Sequence, residues 1–201
     1  MVPARLRLVL IALTVCAAAA VIGASLAMSG DGGATGQTNG WAGAVRPAGL
    51  AVPGFSLTDQ DGKTVSAASL RGKPTVYAFI YSTCQDTCPA QVQTIRQALD
   101  DTHADVNVVG ITVDPKTDTP KLAKTFLLKQ TMTGRMRFLL GTRAQLEPVW
   151  KAFGIRPQSN ALEHSAHVVV ADTDGMQRVG FPFDHLTPEG LGHDMAKLAG
   201  A

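Results

Sequence analysis

Aromatic residues make up only 5% of this 201-residue chain, and Lys and Arg nowhere form a cluster of four. A surface that stacks nucleic acid bases needs aromatic side chains, and a phosphate-binding surface needs a basic stripe. The formal net charge is only +2, and Arg5 and Arg7 account for it. We therefore expect no nucleic acid partner. The composition, 45% hydrophobic and 17% charged, is typical of a globular protein and argues against a disordered one.

Residues 8–28 contain no charged side chain. A helix of this length reaches roughly 30 Å, the thickness of one bilayer core. Arg5 and Arg7 precede the run, so the positive-inside rule predicts that the rest of the chain lies outside the cytoplasm. We interpret residues 1–28 as a single transmembrane anchor in a bacterial inner membrane, with the remainder in the periplasm. The alternative is a cleaved signal peptide, because Ser25-Leu26-Ala27 is a small-x-small site.

The next segment, residues 29–50, holds seven glycines among small polar residues, which is typical of a flexible linker. Residues 51–201 are long enough to bury one core. Cys16 falls within the predicted anchor and is expected to be buried in the membrane.

Short apolar runs and helical patterns alternate through residues 51–201. Pro74 to Tyr81 and Val106 to Val113 are continuous apolar runs, typical of strands buried on both faces. Helical spacing follows each of them, and an early hairpin precedes the first. Another hairpin and a last helix end the chain. This order predicts an α/β, thioredoxin-like fold with an N-terminal hairpin extension, preceded by the anchor helix.

Cys84 and Cys88 lie at the junction between the first buried strand and a helix. Positions i and i+4 share a helix face, so the two sulfurs can converge on one point. A helix N-terminus lowers a thiol pKa, and open α/β sheets bind ligands at the carboxyl ends of their strands. We expect both thiols to be activated and to point outward. Asp86 is expected to cap the helix, and either Asp86 or Asp114 could orient a ligand.

Three uses of this cysteine pair stay open: a structural disulfide, dithiol–disulfide exchange, and metal binding. A metal site needs a further ligand, preferably an imidazole. Of the five histidines, His164 is the better candidate because it precedes the last hairpin, whose entry lies beside the thiols in a thioredoxin-like fold. His167 is the second choice. The remaining three are expected to be solvated: His103, His185 and His193. Two sulfurs and one imidazole favour Cu(I), with Cu(II) or Zn(II) as alternatives.

Three motifs in this order resemble the SCO/SenC family of copper proteins, over about 150 residues. They are Cys84-Gln85-Asp86-Thr87-Cys88-Pro89, Val113-Asp114-Pro115 with Asp118-Thr119-Pro120, and Glu163-His164-Ser165. The resemblance implies that Cys84, Cys88 and His164 are copper ligands. Thr83, Gln85 and Glu163 differ from the commonest residues of the family, but no donor atom is lost.

The same resemblance implies a copper chaperone and thiol reductase that assists assembly of the dinuclear copper site of cytochrome c oxidase. Its partners would be the copper-site subunit of that enzyme, other copper carriers and thioredoxin-like reductants. In either role Cys84 and Cys88 would act as reduced thiols. An exported thiol–disulfide oxidoreductase without a metal role is the alternative. A thioredoxin-like peroxidase ranks last, because no Arg lies near Thr83 in sequence.

Overall fold

A computed structural model describes residues 40–156 and 167–200 of the chain. The predicted anchor, half of the predicted linker, Cys16 and the candidate ligand His164 lie outside these residues. In the described ranges, no helix combines the length and apolar character that a membrane span requires.

Eight strands and four α-helices make up the described part of the chain. The strands are β1 (Ala44–Val45), β2 (Ser56–Thr58), β3 (Thr64–Ser66), β4 (Thr75–Ile80), β5 (Asn107–Thr112), β6 (Arg137–Leu139), β7 (His167–Ala171) and β8 (Gln177–Pro182). The helices are α1 (Thr87–Thr102), α2 (Pro120–Lys129), α3 (Arg143–Phe153) and α4 (Pro188–Ala199). Short 3-10 turns occupy Ala68–Leu70 and Phe183–His185.

Six of the strands form one mixed sheet in the order β1-β8-β7-β4-β5-β6. Strands β4, β5 and β6 run parallel, whereas β7 is antiparallel to β4 and β8 is antiparallel to β7. Every residue of β4 is buried, as its continuous apolar run predicts. This arrangement confirms the predicted thioredoxin-like α/β fold.

Alternate residues of β4 point into two separate cores, because successive side chains of a strand face opposite sides of the sheet. Val76, Ala78 and Ile80 join the core that includes α1, α2 and α4. Tyr77 and Phe79 join the other core, which α3 covers. The sheet is therefore covered by helices on both faces.

Threonine side chains determine where three of the helices begin. Thr119 precedes α2 and accepts the backbone N–H of Leu122, and Thr187 precedes α4 and accepts that of Gly190. Thr142 forms a reciprocal capping box with Gln145 at the start of α3. Threonine is favoured at this position because its side-chain oxygen accepts a backbone N–H that has no partner within the helix.

The predicted N-terminal hairpin is formed by β2 and β3, which pair antiparallel. It lies along the edge of the main sheet, where Thr58 exchanges two backbone hydrogen bonds with Leu140. The side chain of Gln60 also accepts the backbone N–H of Phe138 at 2.7 Å. The hairpin thereby protects the edge strand β6 from pairing with other chains.

Residues 40–50 of the predicted linker are among the described residues, and several of them contact the main sheet and α4. Strand β1, which falls in the predicted linker, pairs with β8. The buried carboxylate of Asp194 in α4 accepts the backbone N–H groups of Ala42 and Gly43, each at 2.9 Å. The glycine-rich composition conceals this attachment because its partners lie about 150 residues away in the sequence.

Candidate metal centre

The cysteines lie where the end of β4 connects to the start of α1. Cys84 lies in the turn between these elements and Cys88 lies in the first turn of the helix. Both are thiols rather than a disulfide. Gln85 and Asp86 between them are exposed, so the turn lies at the protein surface. The site is at the carboxyl end of the parallel strand β4, as the sequence predicts.

The sulfur of Cys84 takes the place of a capping side chain at the start of α1. It accepts the backbone N–H of Cys88 at 3.3 Å. The thiol of Cys88 donates to it, and so do the backbone N–H of Asp86 and the hydroxyl of Tyr81. The hydrogen bond from Cys88 is the largest of these influences, and together they lower the pKa of Cys84 to about 4 although burial opposes the change. Cys84 is therefore a thiolate at neutral pH.

Cys88 has the opposite character. Its side chain is fully buried, and its thiol donates to the Cys84 sulfur. This hydrogen bond, together with burial, raises the pKa of Cys88. The expectation that both thiols are outward-facing and activated is wrong for Cys88. Two contacting sulfurs are not both negatively charged, because the proton that Cys88 keeps stabilises the charge on Cys84. The pair is therefore a thiolate that is largely buried, in contact with a thiol that is fully buried.

Asp118 fixes the turn that leads into Cys84. Its carboxylate accepts the backbone N–H of Ser82 at 2.8 Å and the hydroxyls of Ser82 and Thr112. Asp118 reaches this position because the turn after β5 folds back. In this turn the backbone N–H of Asp118 donates to the carbonyl of Asp114 at 3.0 Å. Burial raises the pKa of Asp118 even though these donors oppose the change. We name Asp118, Ser82 and Thr112 the loop clamp.

Two residues of this centre, Asp118 and Tyr81, have roles that no sequence pattern predicted. Asp118 lies in the D-T-P motif directly before the capping residue Thr119. Its hydrogen bond with the backbone N–H of Ser82 joins residues that are 36 positions apart in the sequence. A signal was available, since a carboxylate shortly after a buried parallel strand lies at the same sheet edge as the cysteines. Asp86 occupies the predicted cap position, but its side chain makes no capping hydrogen bond. The sulfur of Cys84 has that role instead.

Four of the five histidines fall within the described residues. Three of them are exposed as predicted: His103, His185 and His193. His167 is half-buried at the start of β7, and burial lowers its pKa. Since Val168 pairs with Ala78 near the end of β4, β7 begins at the sheet edge that carries the cysteines. His164 lies outside the described residues, so its position relative to the sulfurs stays a prediction.

Within residues 40–156 and 167–200, no group of three His, Cys, Asp or Glu side chains gathers as a metal site would require. The described part therefore supplies two sulfur donors, one of them already anionic. Thiolates are the ligands that Cu(I) prefers. The donor set fits a soft ion and is also suited to dithiol–disulfide exchange.

This chain resembles known proteins in both sequence and structure. A SCO2-like protein of Rickettsia prowazekii is 29% identical over 142 residues, which are 65% of this chain and 68% of that protein. The copper-bound structure of Bradyrhizobium japonicum ScoI is 30% identical with a TM-score of 0.60, and the match covers 74% of this chain and 99% of that one.

A third structure is that of BsSco, described as a member of the Sco family of cytochrome c oxidase assembly proteins. It is 23% identical with a TM-score of 0.67, covers 77% of this chain and 97% of that one, and supports the shared fold. Residues 44–200 match the SCO1/SenC family pattern, which extends over nearly all of the described residues. The chain therefore belongs to the SCO1/SenC family.

Proposed function

We propose that this protein is a copper-binding assembly factor that serves the dinuclear copper site of cytochrome c oxidase. The observation that carries the proposal is the pairing of the Cys84 thiolate with the Cys88 thiol beside a surface turn at the carboxyl end of β4. Copper is the cargo, and Cu(I) suits these donors best, with Cu(II) as the second choice. Membership of the SCO1/SenC family and the copper-bound state of a 30% identical relative support this choice of metal.

We propose His164 as the third ligand. His167 begins β7 at the edge where the cysteines lie, and His164 precedes it by only three residues. Chain connectivity keeps the Cα atoms of the two histidines within about 11 Å of each other. An imidazole would add a borderline donor to two soft sulfurs, which leaves the ion three-coordinate and open to an incoming ligand.

The two thiols have different tasks in this mechanism. The Cys84 thiolate is ready to bind a cation at neutral pH without losing a proton. Cys88 releases its proton when it becomes the second sulfur ligand, so that binding expels one proton per ion. Delivery to the oxidase subunit then proceeds by ligand exchange, in which partner thiolates replace Cys84 and Cys88 one at a time.

The same pair can reduce a disulfide in the client. The Cys84 thiolate attacks one client sulfur, forms a mixed disulfide and expels the other client sulfur as a thiolate. Cys88 then loses its proton and attacks Cys84, which releases the second client sulfur and leaves a Cys84–Cys88 disulfide. The two electrons move from this pair to the client, and a thioredoxin-like reductant must restore the thiols.

We propose further that residues 1–28 anchor the chain in the bacterial inner membrane and leave the folded domain on the periplasmic side. The support is the uncharged run of residues 8–28 and the position of Arg5 and Arg7 before it. The anchor would hold the copper centre near a membrane-embedded oxidase subunit. Other copper carriers would supply the ion.

Substitution of His164 separates this proposal from its alternative, an exported thiol–disulfide oxidoreductase without a metal role. His164→Ala should weaken Cu(I) binding about 10-fold or more while the Cys84–Cys88 disulfide still forms and is reduced at the wild-type rate. Competition with a chromophoric Cu(I) chelator measures the affinity. His185→Ala is the matched control because His185 is exposed at the surface.

Single cysteine substitutions complete the test. Cys84→Ser and Cys88→Ser should each abolish tight Cu(I) binding and disulfide formation, because one sulfur can neither chelate the ion nor close the bond. Unchanged copper affinity in His164→Ala contradicts the ligand assignment. Failure of the wild-type protein to bind Cu(I), with intact disulfide exchange, would establish the oxidoreductase alternative.

A further inference from the structure

Gln91 is a fully buried polar side chain in α1. Neither its Nε2 nor its Oε1 has a hydrogen-bond partner in the described part of the chain. Buried amides are almost always hydrogen-bonded, because an amide that loses its bonds to water and gains no other partner destabilises the folded state. An apolar residue at this position would avoid that cost. A carboxamide at this position therefore calls for a hydrogen-bond partner beyond the contacts that the described residues make with it.

Gln91 follows Cys88 by three residues in the same helix. Residues at this spacing have Cβ atoms about 5–6 Å apart, and helical side chains slope toward the N-terminus. Gln91 and Cys88 therefore share the buried face of α1, and both side chains are fully buried. The same helix face is otherwise apolar, since Val92 and Ile95 belong to the hydrophobic core.

A candidate partner for this amide is the Cys88 sulfur, which lies one helical turn before it in α1. A neutral thiol is a weak hydrogen-bond acceptor. Once Cys88 becomes a metal ligand, its sulfur carries negative charge inside a buried environment, where charge is costly without hydrogen bonds. An amide N–H one turn away is a suitable donor to that sulfur.

We propose that Gln91 is a positioning residue of the copper centre whose carboxamide N–H donates to the Cys88 sulfur when that sulfur binds the ion. This inference rests on the proposed function, since it requires Cys88 to be a copper ligand. The hydrogen bond would stabilise the buried ligand and hold its sulfur toward the ion. Hydrogen-bond donors that orient metal ligands commonly contribute 10- to 100-fold to metal affinity.

Gln91→Met in the full-length chain tests the inference, because methionine has a similar length and shape but no N–H donor. Gln97→Met is the matched control, since Gln97 lies on the same helix with an exposed side chain. We expect Gln91→Met to weaken Cu(I) binding 10- to 100-fold in chelator competition, and Gln97→Met to leave it unchanged. The thermal midpoint of the reduced, metal-free Gln91→Met protein should equal or exceed that of the wild type.

A spectroscopic readout distinguishes positioning from a general effect on packing. A hydrogen bond to a ligand sulfur lowers the energy of its donor electrons, so its loss should shift the sulfur-to-Cu(II) charge-transfer band of the Cu(II)-loaded protein to longer wavelength. The band of Gln97→Met should not move. This readout reports on the sulfur itself and is insensitive to the stability of the domain.

Two results would overturn the inference. One is a Gln91→Met protein that binds Cu(I) within two-fold of the wild type with an unshifted band. The other is a clear fall in the thermal midpoint of the metal-free variant, which would show that the amide already has a structural partner. Wild-type protein that binds no copper would instead refute the proposed function, so the two failures are distinguishable.

Discussion

The loop clamp gives a quantitative prediction for Asp118→Ala. Three donors point at this carboxylate, namely the backbone N–H and hydroxyl of Ser82 and the hydroxyl of Thr112. Hydrogen bonds to a charged group contribute about 1.5–3 kcal/mol each. Burial of the carboxylate opposes this gain, as the raised pKa of Asp118 indicates. We therefore expect a net loss of about 2–4 kcal/mol in the free energy of unfolding.

Thermal unfolding of the reduced, metal-free protein measures this loss. For a domain of this size about 2–4 °C of thermal midpoint corresponds to 1 kcal/mol, so Asp118→Ala should unfold roughly 5–15 °C below the wild type. Asp118→Asn keeps the shape and one acceptor oxygen, and should lose about half as much. Asp114→Ala is the control, because Asp114 is in the same turn but its carboxylate is not part of the loop clamp. Equal midpoints for Asp118→Ala and Asp114→Ala would refute the reasoning.

Two further predictions concern the cysteines and the N-terminal attachment. Because the pKa of Cys84 is about 4, iodoacetamide should alkylate Cys84 at a nearly constant rate between pH 6 and pH 8. The alkylation rate should fall only as the pH approaches 4. A 10-fold rise in rate per pH unit, as for an ordinary thiol, would contradict the assignment. Cys88 should react only under strongly alkaline or unfolding conditions, which peptide mapping would show. Asp194→Ala removes the acceptor of the Ala42 and Gly43 backbone N–H groups and should lower the free energy of unfolding by about 2–4 kcal/mol in urea titration, whereas an unchanged value would show that the attachment is unimportant.

The main architecture was predictable because its signals are local. The apolar run from Pro74 to Tyr81 marks a buried strand, and β4 is buried throughout. Thr119, Thr142 and Thr187 stand immediately before helices and act as their caps. The placement of the cysteines follows from these boundaries, since a strand end and a helix start leave little freedom for the turn between them.

Other features depend on contacts between distant segments, which a single sequence does not reveal. The attachment of residues 42 and 43 to Asp194 spans about 150 positions, and composition alone favours a linker there. The loop clamp likewise depends on how the turn after β5 folds back. The contrast between Cys84 and Cys88 arises from a single shared proton and unequal burial. Residue spacing indicates that the sulfurs can meet but not which of them is ionised.

The central claim is that Cys84, Cys88 and His164 together hold one soft ion. X-ray absorption at the copper edge, on the reduced full-length chain loaded anaerobically with Cu(I), tests it most directly. We predict one copper per chain with two sulfur neighbours and one imidazole nitrogen, and loss of the nitrogen alone in His164→Ala. A site without sulfur, or one whose nitrogen persists in His164→Ala, would contradict the account.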